Sequence, residues 1–236
     1  MILVNIKKPH DKILMWFFLF LILIYSNCAL AVKQYTKQWN MLRISNKFIK
    51  NSNWAYLAEL HARFGIDTQN FDQGLTRLGL AYYLAANVRL WGGYVYSATY
   101  NDTSKYENRL WQQLSWTIIN QQPWRLFSRT RLEQRKLTSS PDISWRFRQK
   151  LLLMFSGFYQ HKLRPIIADE IFFNVNNVSW DNNRAVDQNR FAVGLSYAIL
   201  KQMSVELSYI NQYKIRSPED EMDHVILLSF NIKPTL

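Results

Sequence analysis

The amino-acid sequence predicts an all-β protein, a transmembrane antiparallel up-and-down β-barrel of about 10–12 strands. Large apolar residues alternate with charged or small residues along most of the chain. The polar positions of this alternation carry mainly arginine, and the chain opens with a pattern typical of an export signal. A soluble β-sandwich also alternates, so the arginine content and the placement of aromatic residues decide between the two folds.

The export signal occupies residues 1–31. Lys7, Lys8 and Lys12 precede an apolar run over 13–25, and a small-x-small site ends at Ala31. This order predicts a secretory signal peptide cleaved near Ala31. A lipoprotein signal at Cys28 is the alternative. The apolar run is short for a membrane-spanning helix.

The formal net charge of +12 and the single cysteine limit the possible functions. A basic balance fits nucleic acid, anionic lipid or an anionic solute. Export makes nucleic acid a poor partner. Cys28 lies in the predicted signal, so we expect no disulfide, no thiol nucleophile and no cysteine metal site in the mature chain.

Residues 53–236 are predicted to form the barrel, and residues 32–52 an N-terminal segment that is either an extra strand or a lumenal or periplasmic piece. Eleven strands would break the even number usual for bacterial single-chain barrels, so a twelfth strand is the other possibility. Ten segments alternate with a period of two residues: 54–64, 77–84, 87–97, 109–118, 125–135, 144–155, 164–173, 189–199, 203–213 and 225–232.

Short turns and longer polar loops alternate between these segments, which predicts two different barrel ends. The longer connections are 66–72, 101–107, 137–142, 175–187 and 216–223. Two segments fit less well. The second face of 125–135 carries Thr130 and Gln134, and Asp169 falls on the apolar face of 164–173.

The polar faces favour a barrel lumen over a solvent-exposed sheet, because small residues space long arginine side chains that make forked bonds to carboxylates. Trp and Tyr lie near the ends of the apolar faces, as in an interfacial girdle. The predicted lumen-lining network is Glu59, His61, Arg63, Arg77, Arg89, Arg109, Arg129, Arg131, Glu133, Arg135, Arg146, Arg148, Glu170, Arg190 and Glu206. Arg125, Lys150 and Arg164 also fall on the inward-facing positions of their strands. The predicted lumen therefore contains thirteen bases and four acids.

The stretches RLFSRTRLEQR, WRFRQKL, ADEIFFN, DQNRFAVGLSY and MSVELSYINQY resemble the family called domain of unknown function 2490. The resemblance covers roughly residues 35–233. It implies an exported bacterial outer-membrane β-barrel and brings no established activity. Many outer-membrane proteins end on an aromatic residue, whereas this chain ends NIKPTL, which leaves Phe230 as the candidate assembly signal.

Two functions compete for such a lumen, a structural scaffold closed by paired charges and a narrow anion-preferring channel. A small outer-membrane lipid hydrolase is the alternative, with His61 the best-placed base, although no Gly-x-Ser-x-Gly occurs. We expect no enzyme activity, no cofactor and no metal. The expected partners are outer-membrane lipid and lipopolysaccharide, the barrel assembly machinery and small anionic solutes.

Overall fold

The computed structural model describes residues 32–100, 104–159, 161–181 and 184–235. The predicted signal peptide, residues 1–31, lies outside the described residues. Within the described ranges, no helix has the length and apolar character needed to cross a membrane.

Eleven strands make up the described fold, and each of the ten alternating segments falls on one of the strands β2 to β11. Their bounds are β1 Lys33–Lys47, β2 Trp54–Gly65, β3 Asn70–Ala85, β4 Val88–Tyr100, β5 Ser104–Gln121, β6 Trp124–Leu137, β7 Ile143–Phe155, β8 Leu163–Asn174, β9 Val186–Leu200, β10 Met203–Lys214 and β11 Glu221–Ile232.

The strands close into a single barrel in which neighbours in sequence are neighbours in space. All pairs are antiparallel except the closing pair, where β1 runs parallel to β11 from Lys33↔Glu221 to Ile44↔Ile232. The all-β barrel prediction is confirmed. The expectation of an even strand number is wrong for the described chain, because residues 33–47 pair on both sides. An up-and-down meander with an odd number of strands must close in parallel.

The two ends of the barrel differ, and we name them by their connections. The short-turn end carries the connections 48–53, 86–87, 122–123, 156–162 and 201–202, and the loop end carries 66–69, 101–103, 138–142, 175–185 and 215–220. Several loops are shorter than the sequence predicts, because β3, β5 and β11 begin at Asn70, Ser104 and Glu221. Backbone pairing with the neighbouring strand continues into these polar stretches regardless of their side chains.

The alternation divides each strand into an outward and a lumenal face. On β3, Leu78 and Leu80 are exposed on the outer surface, whereas Arg77 and Ala81 are buried. Along β6, the same parity places Arg131, Glu133 and Arg135 in the lumen. The stretch 125–135 therefore has the predicted orientation.

The polar residues that fitted poorly form a hydrogen-bonded band on the outer surface of β5 to β9. Thr130 donates to Gln149 at 2.6 Å, and the amides of Gln112 and Gln134 bond each other. Asp169 accepts from Asn189 at 3.0 Å. The registers of β6 and β8 hold because these outward polar groups satisfy one another.

Candidate functional site

A layer of charged and aromatic side chains fills the lumen at mid-height. We call it the central layer and define it by Trp39, Trp111, Arg131, Glu133, Arg148 and Phe172. Glu133, Trp111 and Phe172 are each 0% exposed, and Arg131 is 2% exposed. These side chains project from β1, β5, β6, β7 and β8.

Glu133 is the main acceptor of the central layer. Its Oε1 accepts from Arg148 Nη1 at 2.7 Å and lies 3.5 Å from Arg131 Nη1. Its Oε2 accepts from Arg146 Nη2 at 2.8 Å. One carboxylate without solvent access thus holds three guanidinium groups, on β6 and β7, whose strands pair at Glu133↔Arg146.

Glu170 extends this network to β8. Arg148 donates through Nε at 2.9 Å to the same Glu170 oxygen that accepts from Arg129 Nη2 at 2.6 Å. Arg148 therefore bridges Glu133 and Glu170. Forked guanidinium–carboxylate geometry of this kind is what tolerates burial.

Aromatic rings cover the remaining faces of the arginines. The guanidinium carbon of Arg148 lies 4.3 Å from the centroid of the Phe172 ring, and that of Arg131 lies 4.7 Å from the Trp111 ring. Arg190 reaches both Phe172, at 4.6 Å, and Trp39, at 5.1 Å. Cations over ring faces gain attraction without needing a carboxylate each.

Two glycines make room for the Trp111 ring. A Cβ built on Gly79 would lie 2.7 Å from the Trp111 ring, and one on Gly93 would lie 2.6 Å from it. Both glycines face each other on β3 and β4. The small residues at inward-facing strand positions therefore make room for the Trp111 indole ring as well as for the arginine side chains.

A second acid centre lies on β2. Glu59 is 2% exposed and accepts from Arg43 Nε at 2.7 Å and from Arg77 Nη1. His61 Nε2 lies 3.2 Å from Glu59 Oε2. This histidine is thus held by a carboxylate that already has two arginine partners.

Toward the loop end, acids that the sequence had placed in loops join the lumenal network. Glu107 accepts from both Arg109, at 2.8 Å, and Arg135, at 2.6 Å. Asp181 accepts from Arg135 as well. Further pairs are Asp187 with Arg216 and Arg146, and Asp223 with Lys214 and Lys37.

Comparison with protein families gives one decisive match. The model of the family described as a protein of unknown function, DUF2490, covers residues 36–223. The chain belongs to the DUF2490 family. The family recognition made from the sequence is confirmed.

Two individual proteins resemble this DUF2490 member. An uncharacterised protein of Methylorubrum extorquens is 26% identical over 192 residues, which cover 76% of this chain and 80% of the relative. A solved structure of the NanC porin aligns with a TM-score of 0.48 at 13% identity, over 76% of this chain and 85% of that one. The barrel assignment rests on the strand pairing of this chain itself.

The predicted lumenal residues fall into three groups in this family member. Ion pairs within the described residues include Glu59, His61, Arg77, Arg109, Arg129, Arg131, Glu133, Arg135, Arg146, Arg148 and Glu170. Arg63 and Arg190 instead donate to Gln73 and Gln212 and lie over Trp39. Arg89 lies over Tyr83 and Trp91, and Glu206 accepts from Ser208.

Sequence reasoning missed part of the site. Glu107, Asp187 and Asp223 were assigned to loops, and Trp39 to a segment left unassigned. Trp111 is two residues after Arg109 on the same strand, and this spacing alone predicts that its side chain points into the lumen. The added acids bring added bases with them, Arg216, Lys214 and Lys37, so the lumen keeps its excess of bases.

Proposed function

We propose that the protein is an integral β-barrel of the bacterial outer membrane. The outer surface supports this, because exposed leucines such as Leu78, Leu110 and Leu207 form its middle. Soluble monomers rarely expose apolar surface on this scale. The predicted signal peptide of residues 1–31 would deliver the chain to the periplasm, where the assembly machinery would insert it.

Aromatic rows at both ends of the apolar surface support a membrane setting. At the short-turn end, Trp54 packs on Tyr82 at 5.2 Å and Trp124 on Phe155 at 4.8 Å between ring centroids. At the loop end, Phe71 lies 5.4 Å from Phe64. Barrels that span membranes carry such girdles at both interfaces. Outer-membrane lipid and lipopolysaccharide are the expected neighbours.

For the lumen, we infer a closed scaffold rather than an open pore. The single observation that carries this is the zero exposure of Glu133, Trp111 and Phe172 at mid-height. A conducting path would need water or an ion to pass these side chains. Their ion pairs and ring contacts oppose this, because removing one partner would leave a buried charge unpaired.

A narrow anion-preferring channel is the second candidate. It is favoured by the bases nearest the short-turn end, Arg89, Arg125 and Lys150 among them, which make no ion pair with a described residue. A lumen with excess positive charge attracts anions and repels cations.

We assign no catalysis to the lumen. A lipid hydrolase using His61 would be tested by loss of lipid turnover in His61→Ala.

Planar-bilayer conductance of the refolded protein tests the closed lumen. We expect no steady current from the wild type. Trp111→Ala should open a leak through the central layer, whereas Trp116→Ala, on the outer face of the same strand and 45% exposed, should not. A steady anion-selective current from folded wild-type protein, measured by reversal potential in a salt gradient, would favour the channel instead.

A further inference from the structure

The charges of the lumen are divided unevenly along the barrel axis. The carboxylates of Glu107, Asp187 and Asp223 pair near the loop end, and Glu133 pairs at mid-height. Glu206 lies in the short-turn half of β10 and interacts electrostatically with Lys150. Six bases lie toward the short-turn end and form no ion pair with any described residue. They are Lys47, Arg89, Arg125, Lys150, Arg164 and Lys233.

A cavity of about 350 Å³ lies in this part of the barrel, lined by residues of β1 to β7 and by Lys233. Its basic lining is Arg43, Lys47, Arg89, Arg129, Arg131, Lys150 and Lys233. Its one acidic residue is Glu59, whose oxygens are already occupied by Arg43, Arg77 and His61. Sites for small molecules have volumes of about 300–1,000 Å³, so the cavity has room for one small solute.

Two lining residues carry buried donors without a partner among the described atoms. They are the Nε of Arg129 and the indole Nε1 of Trp91. Both donor atoms are shielded from the cavity space, so they are unused hydrogen-bonding capacity in its wall and not direct contacts with its contents. Gln113, Ser115 and Ser128 add further polar groups to the same lining.

A cluster of like charges around Lys233, at the short-turn end of the cavity, also favours a bound anion. Lys233 follows β11 and is influenced by the guanidinium groups of Arg89, Arg164 and Arg125. Desolvation first, and then these three like charges, lower the pKa of Lys233 below its usual value. An anion among these groups would relieve their mutual repulsion.

We propose that this cavity is a binding site for a small oxyanion, a phosphate or a solute that carries one, which enters from the short-turn end. In the outer-membrane orientation usual for such barrels, this end faces the periplasm. Arg89, Arg129 and Lys150 would contact the anion from three strands. The site is a blind cup above the central layer and does not depend on conduction.

Isothermal titration calorimetry with inorganic phosphate tests the site, using the refolded protein in a maltoside detergent without phosphate groups. The lumenal double variant Arg89→Gln/Lys150→Gln should lower the affinity by about a hundredfold, since each of the two charge-assisted contacts accounts for roughly tenfold. The matched control is Lys105→Gln/Lys136→Gln, which removes the same charge from exposed positions near the loop end. The control should bind like the wild type.

Two results would overturn the proposal. One is the absence of phosphate binding by wild-type protein that shows the heat-dependent gel mobility of a folded barrel. The other is an equal loss of affinity in both double variants, which would mean general electrostatic attraction. Repeating the titration in phosphatidylglycerol nanodiscs separates two sources of phosphate. Weaker binding there indicates that a lipid headgroup occupies the cup, and unchanged binding indicates a free solute.

Discussion

Replacement of Glu133 by glutamine is the most direct test of the central layer. Glu133→Gln keeps the size of the side chain and removes the charge that Arg131, Arg146 and Arg148 share. Breaking a buried ion pair by removing one partner costs about 3–5 kcal/mol, mostly because the remaining charge stays buried. Three arginines would then face one another without their common carboxylate.

The second partners of the three arginines place the expected cost near the lower end of that range. After the change, Arg148 keeps Glu170 at 2.7 Å, and Arg131 keeps Gln113 at 2.8 Å. Among the described residues, Arg146 keeps an ion pair with Asp187 at 3.6 Å and its position over the Phe172 ring. We therefore expect Glu133→Gln to lower the free energy of unfolding by about 3 kcal/mol.

Equilibrium urea unfolding in phospholipid vesicles, followed by tryptophan fluorescence and by gel mobility, measures this difference. The control is Glu206→Gln, a half-buried carboxylate that accepts from Ser208 at 2.9 Å and should cost less than about 1 kcal/mol. If Glu133→Gln unfolds within about 0.5 kcal/mol of the wild type, the range of ordinary surface changes, then the paired charges do not hold the lumen together.

Two further predictions concern the packing of the lumen and the membrane setting of the outer face. Gly79→Ala should destabilise the barrel by about 1–3 kcal/mol through its clash with Trp111. Gly92→Ala, which has open space, should be nearly neutral in the same unfolding assay, and equal effects would contradict the packing. Brominated phospholipid should quench outward tryptophans selectively. Trp116→Phe should then reduce the quenched intensity while Trp111→Phe leaves it unchanged, and the reverse pattern would place the lipid elsewhere.

The strands could be predicted because one physical cause dominates their sequences. An outward face of large apolar residues imposes a period of two, and eight of the ten segments showed it clearly. The segment that became β1 lacked this signal, because its outward positions include Gln38 and Asn40, which bond each other at 3.4 Å. The strand count was therefore uncertain by one, and the rule of even numbers pointed away from the observed closure.

The sequence predicts which strand faces line the lumen better than it predicts which residues pair there. Parity alone placed Arg131, Glu133 and Arg148 on inward faces, but the choice of partner depends on the register between strands. Polar strand ends were misassigned to loops, so Glu107 and Asp187 were absent from the charge balance. Local polarity cannot distinguish a loop from a strand that continues along the ladder of its neighbour.

The correction changes where the positive charge of the chain resides. With Glu107, Asp187 and Asp223 in the network, the loop half of the lumen contains its own counter-charges. The excess is then localised toward the short-turn end, around Arg89 and Lys150. A channel would need that excess along a continuous path, whereas an anion-binding cup needs it only on one side of a barrier. Conductance and phosphate binding are therefore separate properties of this barrel, and a closed central layer is compatible with a site that is occupied from one end alone.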